Sequence, residues 1–124
     1  MTTEAIAYIG DCLESLNIPY EFGDWKSDFI FPYFVGEYME TAPLDEDGKE
    51  EGTFMITGIT DQSYLTLEAV KETIKKEFPD IGRTDILESG SAIFIAYDTG
   101  NRIPTAEQGL ERIQINLSVK EWRV

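Results

Sequence analysis

The run RIQINLSVKEW at residues 112–122 restricts the fold more than any other part of the chain. Ile113, Ile115, Leu117 and Val119 alternate with Gln114, Asn116, Ser118 and Lys120, the period of two that a strand shows when one face is buried and the other meets water. The segment therefore calls for a sheet. Beyond Val119 the phase slips: Lys120 and Glu121 are adjacent charges, and Trp122 and Val124 carry the apolar character on the other parity. Because a shift of one residue exchanges the two faces of a strand, this reading predicts a bulge, a bend or a second surface at its end.

Helical periodicity appears twice. Ile6, Ile9, Leu13 and Leu16 form the stripe of an amphipathic helix over about residues 3–16, with Thr3 as a cap, Glu4 at its positive end, and Asn17 and Pro19 as stops. Leu67, Val70, Ile74 and Phe78 make a second stripe, starting near Ser63 or Leu65 and ended by Pro79. Glu68 with Lys71, and Glu72 with Lys75 or Lys76, are supportive surface pairs on that helix. Between and after the helices lie strand candidates at 29–40, 53–61, 92–98 and the terminal run, with TGNRIPTAEQG at 99–109 read as a loop. The resulting order is α-β-β-α-β-β. It predicts a single α+β domain over 1–124, an antiparallel or mixed sheet of about four strands packed with two helices.

Eight of the 15 aromatic residues fall between Tyr20 and Tyr38. Phe29, Phe31, Tyr33 and Val35 share one parity while Ile30, Phe34 and Tyr38 share the other, so both faces of this stretch ask for cover. Pro32 cannot donate to a ladder, which places it at an edge or just before a strand. Two coverings are open at this point, a helix of the same subunit or a partner. ETAPLDEDGKEEG at 40–52 follows as an acidic hairpin arm, with Asp45, Glu46, Asp47, Glu50 and Glu51 around Lys49. Setting Gly48 on the invariant glycine of a calcium loop leaves Pro43 and Phe54 at the first and last ligand positions, so the calcium reading fails.

Charge and residue usage narrow the function. There are 24 acids against 10 Lys and Arg, for a formal net charge of −14. Residues 1–60 hold 13 acids and two bases, for −11, and residues 61–124 hold 11 acids and eight bases, for −3. Such a field opposes binding to nucleic-acid phosphates and anionic membranes and favours basic partners. The lone Cys12 excludes an internal disulfide, in keeping with a reducing cytoplasm, and reads as a small buried thiol. With no apolar run approaching a membrane span and no charged leader at the N-terminus, the expectation is a soluble intracellular product. The chain contains no histidine, which removes Ser-His-Asp and Cys-His catalysis and histidine metal sites. Neither GxxxxGK[ST] nor GxGxxG occurs. Carboxylate-pair chemistry remains formally open, but nothing singles out two of the 24 acids. The expectation is a protein that is not an enzyme and uses no cofactor or metal.

NIPYEFGDW at 17–25, PYFVGEYME at 32–40, EDGKEEGTFMITG at 46–58 and the closing RIQINLSVKEW, in this order, resemble the tail terminator (tail completion) and head-tail joining proteins of long-tailed bacteriophages and prophages. The resemblance implies an α+β subunit that forms a homo-oligomeric ring, typically a hexamer, at the end of the tail tube. There it stops polymerisation of the major tail tube protein and meets the head connector proteins. It implies the host cytoplasm during assembly and the tail or neck of the virion afterwards, without sequence-specific nucleic-acid binding. A ring needs two different complementary patches on each subunit. The candidate contacts are Phe29, Tyr33, Phe34, Tyr38 and Trp122, the acidic arm with Asp45, Glu46, Asp47, Glu50 and Glu51, and basic Arg102, Arg112, Lys120 and Arg123. The alternative is an acidic mimic of nucleic acid that inhibits a DNA-handling protein.

Overall fold

The computed structural model describes residues 1–123. Its elements are α1 (Thr3–Ser15), β1 (Tyr20–Phe22), β2 (Tyr33–Ala42), β3 (Lys49–Thr60), α2 (Tyr64–Glu77), β4 (Arg83–Ile86), β5 (Ala92–Ile103) and β6 (Glu111–Trp122). The strands form one six-stranded mixed sheet in the order β1-β2-β3-β6-β5-β4. Only the β1–β2 pair is parallel; the other four are antiparallel. This corrects the expected four strands and the order α-β-β-α-β-β: the chain runs α-β-β-β-α-β-β-β. The two extra strands, YEF and RTDI, are three and four residues long. They are too short to display a period and owe their extension to the neighbours they pair with.

Both helices end as local chemistry dictates. Thr2 caps α1, its Oγ accepting from Ala5 N at 3.1 Å, one residue earlier than the sequence suggests. Asn17 then leaves the helix in the left-handed region, with φ of 59°. Ser63 caps α2 through Leu65 N, and the Glu68–Lys71 pair closes at 2.9 Å. Their buried side chains Ala5, Ile9, Leu13, Leu67 and Ile74 join Phe34, Phe54, Ile56, Ile93, Ile95, Ile113, Ile115 and Leu117 of the sheet in one core. Each of the Ile, Leu and Phe side chains among them contributes on the order of 1.5–3 kcal/mol by burial. The opposite sheet face is polar: Gln114 Nε2 donates to Asn116 Oδ1 at 3.0 Å, and Asn116 Nδ2 donates to Thr99 Oγ1 at 2.9 Å.

The terminal strand does not bulge. β6 pairs with β3 without interruption from Glu111 to Trp122, because the apparent change of phase is a charged residue at an inward position. Glu121 is 2% exposed and accepts from Thr2 N at 3.1 Å and Thr2 Oγ at 2.8 Å, so its carboxylate fixes the residue that caps α1. Val124, read as sharing the parity of Trp122, lies outside the described residues. The irregularities are elsewhere, in β5 between Tyr97 and Thr99 and in β2 between Glu40 and Ala42. The stretch 99–103, expected to be a loop, continues β5 beside β6.

The acidic arm is likewise mostly sheet. β2 runs on to Ala42 and β3 starts at Lys49, leaving a tip whose shape Asp45 sets. Its Oδ1 accepts from Asp47 N at 3.0 Å and Lys49 N at 2.9 Å, while Gly48 supplies the positive φ of 78°.

Candidate interaction surface

Burial along β2 changes character halfway. From Tyr33 to Gly36 partly exposed and buried residues alternate, and from Glu37 to Thr41 every residue is exposed. The first half lies between β3 and β1, whose three residues pair with Phe34, Val35 and Gly36. Beyond Gly36 the strand has β3 on one side only.

The segment between β1 and β2 is organised by Glu21. Its carboxylate accepts from Lys26 N at 2.9 Å, Ser27 N at 3.2 Å and Ser27 Oγ at 3.2 Å. The hydrogen bond from the Lys26 backbone, outweighing desolvation and helped by Ser27, holds its pKa below the usual carboxylate value. Trp25 Nε1 donates to Asp28 O at 3.2 Å. The rings of Trp25, Phe31 and Phe29 gather around Tyr33, with centroids at 5.1, 5.7 and 5.9 Å. This cluster leaves Phe29 75% exposed and Ile30 half exposed. Between it and α1 runs an open groove of about 760 Å³, lined among others by Ile6, Gly10, Tyr20, Trp25, Asp28 and Ile30. The Tyr20 hydroxyl is buried without a partner, and burial pushes its pKa up to about 12.

The structure separates the candidate contacts. Phe34 is fully buried, lying over Gly58 where a Cβ would collide with its ring, so it packs inside its own subunit. Glu50 is also internal: it binds the Met1 ammonium at 2.6 Å and Arg123 Nη2 at 2.7 Å. Hydrogen bonding from that ammonium, against desolvation and with help from Arg123, lowers the Glu50 pKa. Glu40 accepts from the same ammonium at 3.2 Å. Desolvation works to lower the amine pKa, but the hydrogen bonds that the ammonium donates to Glu50 and Glu40 prevail and raise it. Glu51 lies 3.8 Å from both Lys49 and Lys120. Asp45, Glu46 and Asp47 are exposed at the hairpin tip, and Phe29 and Tyr38 are exposed while Tyr33 is half-buried.

The basic residues do not form a patch. Arg112 stands at the opposite end of β6 from Lys120 and Arg123. Arg102 pairs with Glu111 at 2.7 Å and lies over Tyr64, and the Lys120 ammonium lies 5.6 Å from the Phe94 ring centre. Trp122, 37% exposed, belongs to a row across the polar face with Lys49, Ala92 and Ile86.

A second apolar group, absent from the sequence reading, sits at the β4 margin, where Ile81 is 88% and Ile86 64% exposed. The only available signal was an aliphatic residue set among Asp80, Gly82 and Asp85. Behind it, Tyr8 Oη donates to Asp85 Oδ2 at 2.8 Å, and Arg83 pairs with Glu77. Cys12 is half-buried beside them; burial raises its thiol pKa despite the nearby Tyr8 and Arg83, which disfavours a reactive thiolate. Among the described residues there is no group of three or more acidic or cysteine side chains arranged to hold a metal ion, and no helix long and apolar enough to cross a membrane. No protein-family model and no curated protein matches this chain.

Proposed function

We propose that this chain is a non-enzymatic building block of a ring at the end of a phage tail tube, terminating tail polymerisation and joining tail to head. The proposal joins the phage resemblance to one observation. Apart from Leu44, Leu65 and Trp122, the exposed large apolar side chains fall into two dissimilar groups at opposite edges of the sheet: Phe29, Ile30, Tyr38 and Met39 on the β1–β2 side, and Ile81 and Ile86 on the β4 side. Head-to-tail association needs two unlike patches. Subunits assemble in the host cytoplasm and end in the tail or neck of the virion, with the tail tube protein and the head connector as neighbours. Since most bases of the C-terminal half are engaged within the subunit, apolar contact supplies the affinity and the exposed acids at the hairpin tip supply register.

Light scattering of the chain alone and mixed with tail tube protein tests this reading. The expected result is a closed oligomer, alone or on the tube, that Ile81→Asp with Ile86→Asp abolishes while the fold is retained. A strict monomer that ignores tube ends and instead captures a basic DNA-handling protein would replace the proposal with the nucleic-acid-mimic reading. Charge reversal of Asp45, Glu46 and Asp47 should impair assembly or DNA ejection, and unchanged infectivity would remove the tip from the mechanism.

A further inference from the structure

We infer that the outer edge of β2 over Glu37–Glu40, ahead of the register shift between Glu40 and Ala42, is a strand-addition site for an extended, lysine- or arginine-bearing segment of another protein. The backbone carries the argument. Phe34 N donates outward to Pro19 O at 2.9 Å, and Gly36 O accepts from Gly23 N at 2.9 Å, so the even residues of β2 direct their polar groups away from β3. β1 and its turn end there. The next outward groups are the N–H and C=O of Tyr38 and Glu40, which face no strand because β2 beyond Gly36 pairs with β3 alone. An edge that presents alternating donors and acceptors is what an added strand requires.

Side chains fit the same use. Tyr38 and Met39 point to opposite faces of the strand and are both exposed, with exposed Leu44 just beyond, so an incoming strand finds apolar contact above and below the ladder. The charge is of one sign. Between Lys26 and Lys49 the chain has no Lys or Arg, while Glu37, Glu40, Asp45, Glu46 and Asp47 flank the edge. One oxygen of Glu40 is engaged by the Met1 ammonium, but Glu37 and the tip acids remain to attract a basic segment. A second copy does not fit as well. Two β2 edges brought together would place two stretches that carry acids and no bases, with Glu37, Glu40 and the tip acids on each, beside one another, and like charges repel. At the β4 edge the outward N–H of Ile86 already donates to Asp85 Oδ1 at 2.9 Å.

Because Tyr38 and Met39 also belong to the β1–β2 patch proposed for the ring, the inference is tested on the Ile81→Asp, Ile86→Asp variant, in which the ring contacts are removed. Amide hydrogen exchange tests it, with a short peptide of alternating lysine and valine as the probe. The peptide should slow exchange at Tyr38 and Glu40 at least about tenfold and leave Glu37 and Met39, bonded towards β3, unchanged. Glu40→Pro removes an outward N–H and should abolish the effect at Tyr38, whereas Glu40→Ala should preserve it. Should Glu40→Pro fail to fold, Glu37→Lys provides the second measure, weakening the peptide severalfold. Three results would overturn the inference: no slowing at Tyr38 and Glu40, equal slowing by a peptide of glutamate and valine, or slowing that appears without peptide as protein concentration rises, which would make a second copy the occupant.

Discussion

At the β4 margin Leu87 N turns inward to Ser91 O and the neighbouring Ile86 N is satisfied by the carboxylate of Asp85, whereas at the β2 margin Tyr38 and Glu40 meet water with no such partner. Asp85 is itself held by Tyr8 of α1 and approached by Arg83 at 3.8 Å, so at that margin the Ile86 amide is capped by a side chain anchored to a helix. The hydrogen bond from Tyr8, aided by the Ile86 backbone, also keeps the Asp85 carboxylate pKa low. The other margin is covered by β1 for three residues and then left open. An edge is closed in this fold by a neighbouring element, and where the neighbour stops the strand becomes a surface.

The sharpest way to break this comparison is to substitute the same face of β2 on either side of the change. Phe34→Ala removes a fully buried ring and should cost about 3–5 kcal/mol in denaturant unfolding. A loss below about 1 kcal/mol would mean that the covered half of β2 is not the packed half. Next, Glu50→Ala strips the buried partner of the Met1 ammonium and Arg123 and should cost about 3 kcal/mol.

That same pair predicts a pH window. The lowered Glu50 pKa gives stability that is present above its ordinary value of 4.5 and lost as pH falls through the folded value. The raised amine pKa gives stability that is complete below 8.0 and lost as pH climbs through its folded value. Stability should therefore plateau between about pH 5 and 8, and thermal melts of Glu50→Ala should show the plateau flattened. Asp85→Ala should speed exchange of the Ile86 amide and promote self-association; an unchanged Ile86 amide would deny the carboxylate its closing role. Smallest of all, Tyr38→Ala should cost under about 1 kcal/mol, since the ring is partly exposed and meets Phe22 edge-on at 6.3 Å. A cost equal to that of Phe34→Ala would place the open half of β2 in the core.

Much of the fold is legible wherever apolar residues recur over several turns or pleats. The stripe from Ile6 to Leu13 and the alternation from Ile113 to Val119 specify α1 and β6 because each repeats its period long enough to name a face. β1 and β4 escape because a strand of three or four residues has no period, and polar RTDI is extended only by pairing with β5. Glu121 misleads because hydropathy treats a carboxylate as outward, while here the orphan N–H and hydroxyl of Thr2 give it an inward partner. The candidate surface was readable in part. Phe29 and Tyr38 were found because exposed aromatics cluster in sequence, but Phe34 was grouped with them, since parity does not reveal which face of β2 the core occupies. Its side is fixed only by register, Phe34 opposite Gly58 and Gly58 opposite Ile113.

The place of β6 between β3 and β5 has a consequence for biogenesis. β6 follows β3 and β5 in the chain yet lies between them in the sheet, so both carry raw edges until it is made, and Glu121 reaches Thr2 across a separation of 119 residues. Vectorial synthesis can wind the helices and close the β2–β3 hairpin, but the sheet must wait until β6 has emerged. Nascent chains arrested short of Ile113 should accordingly be held by chaperones or lost to proteases, while emergence of β6 lets the sheet zip shut in a single cooperative step.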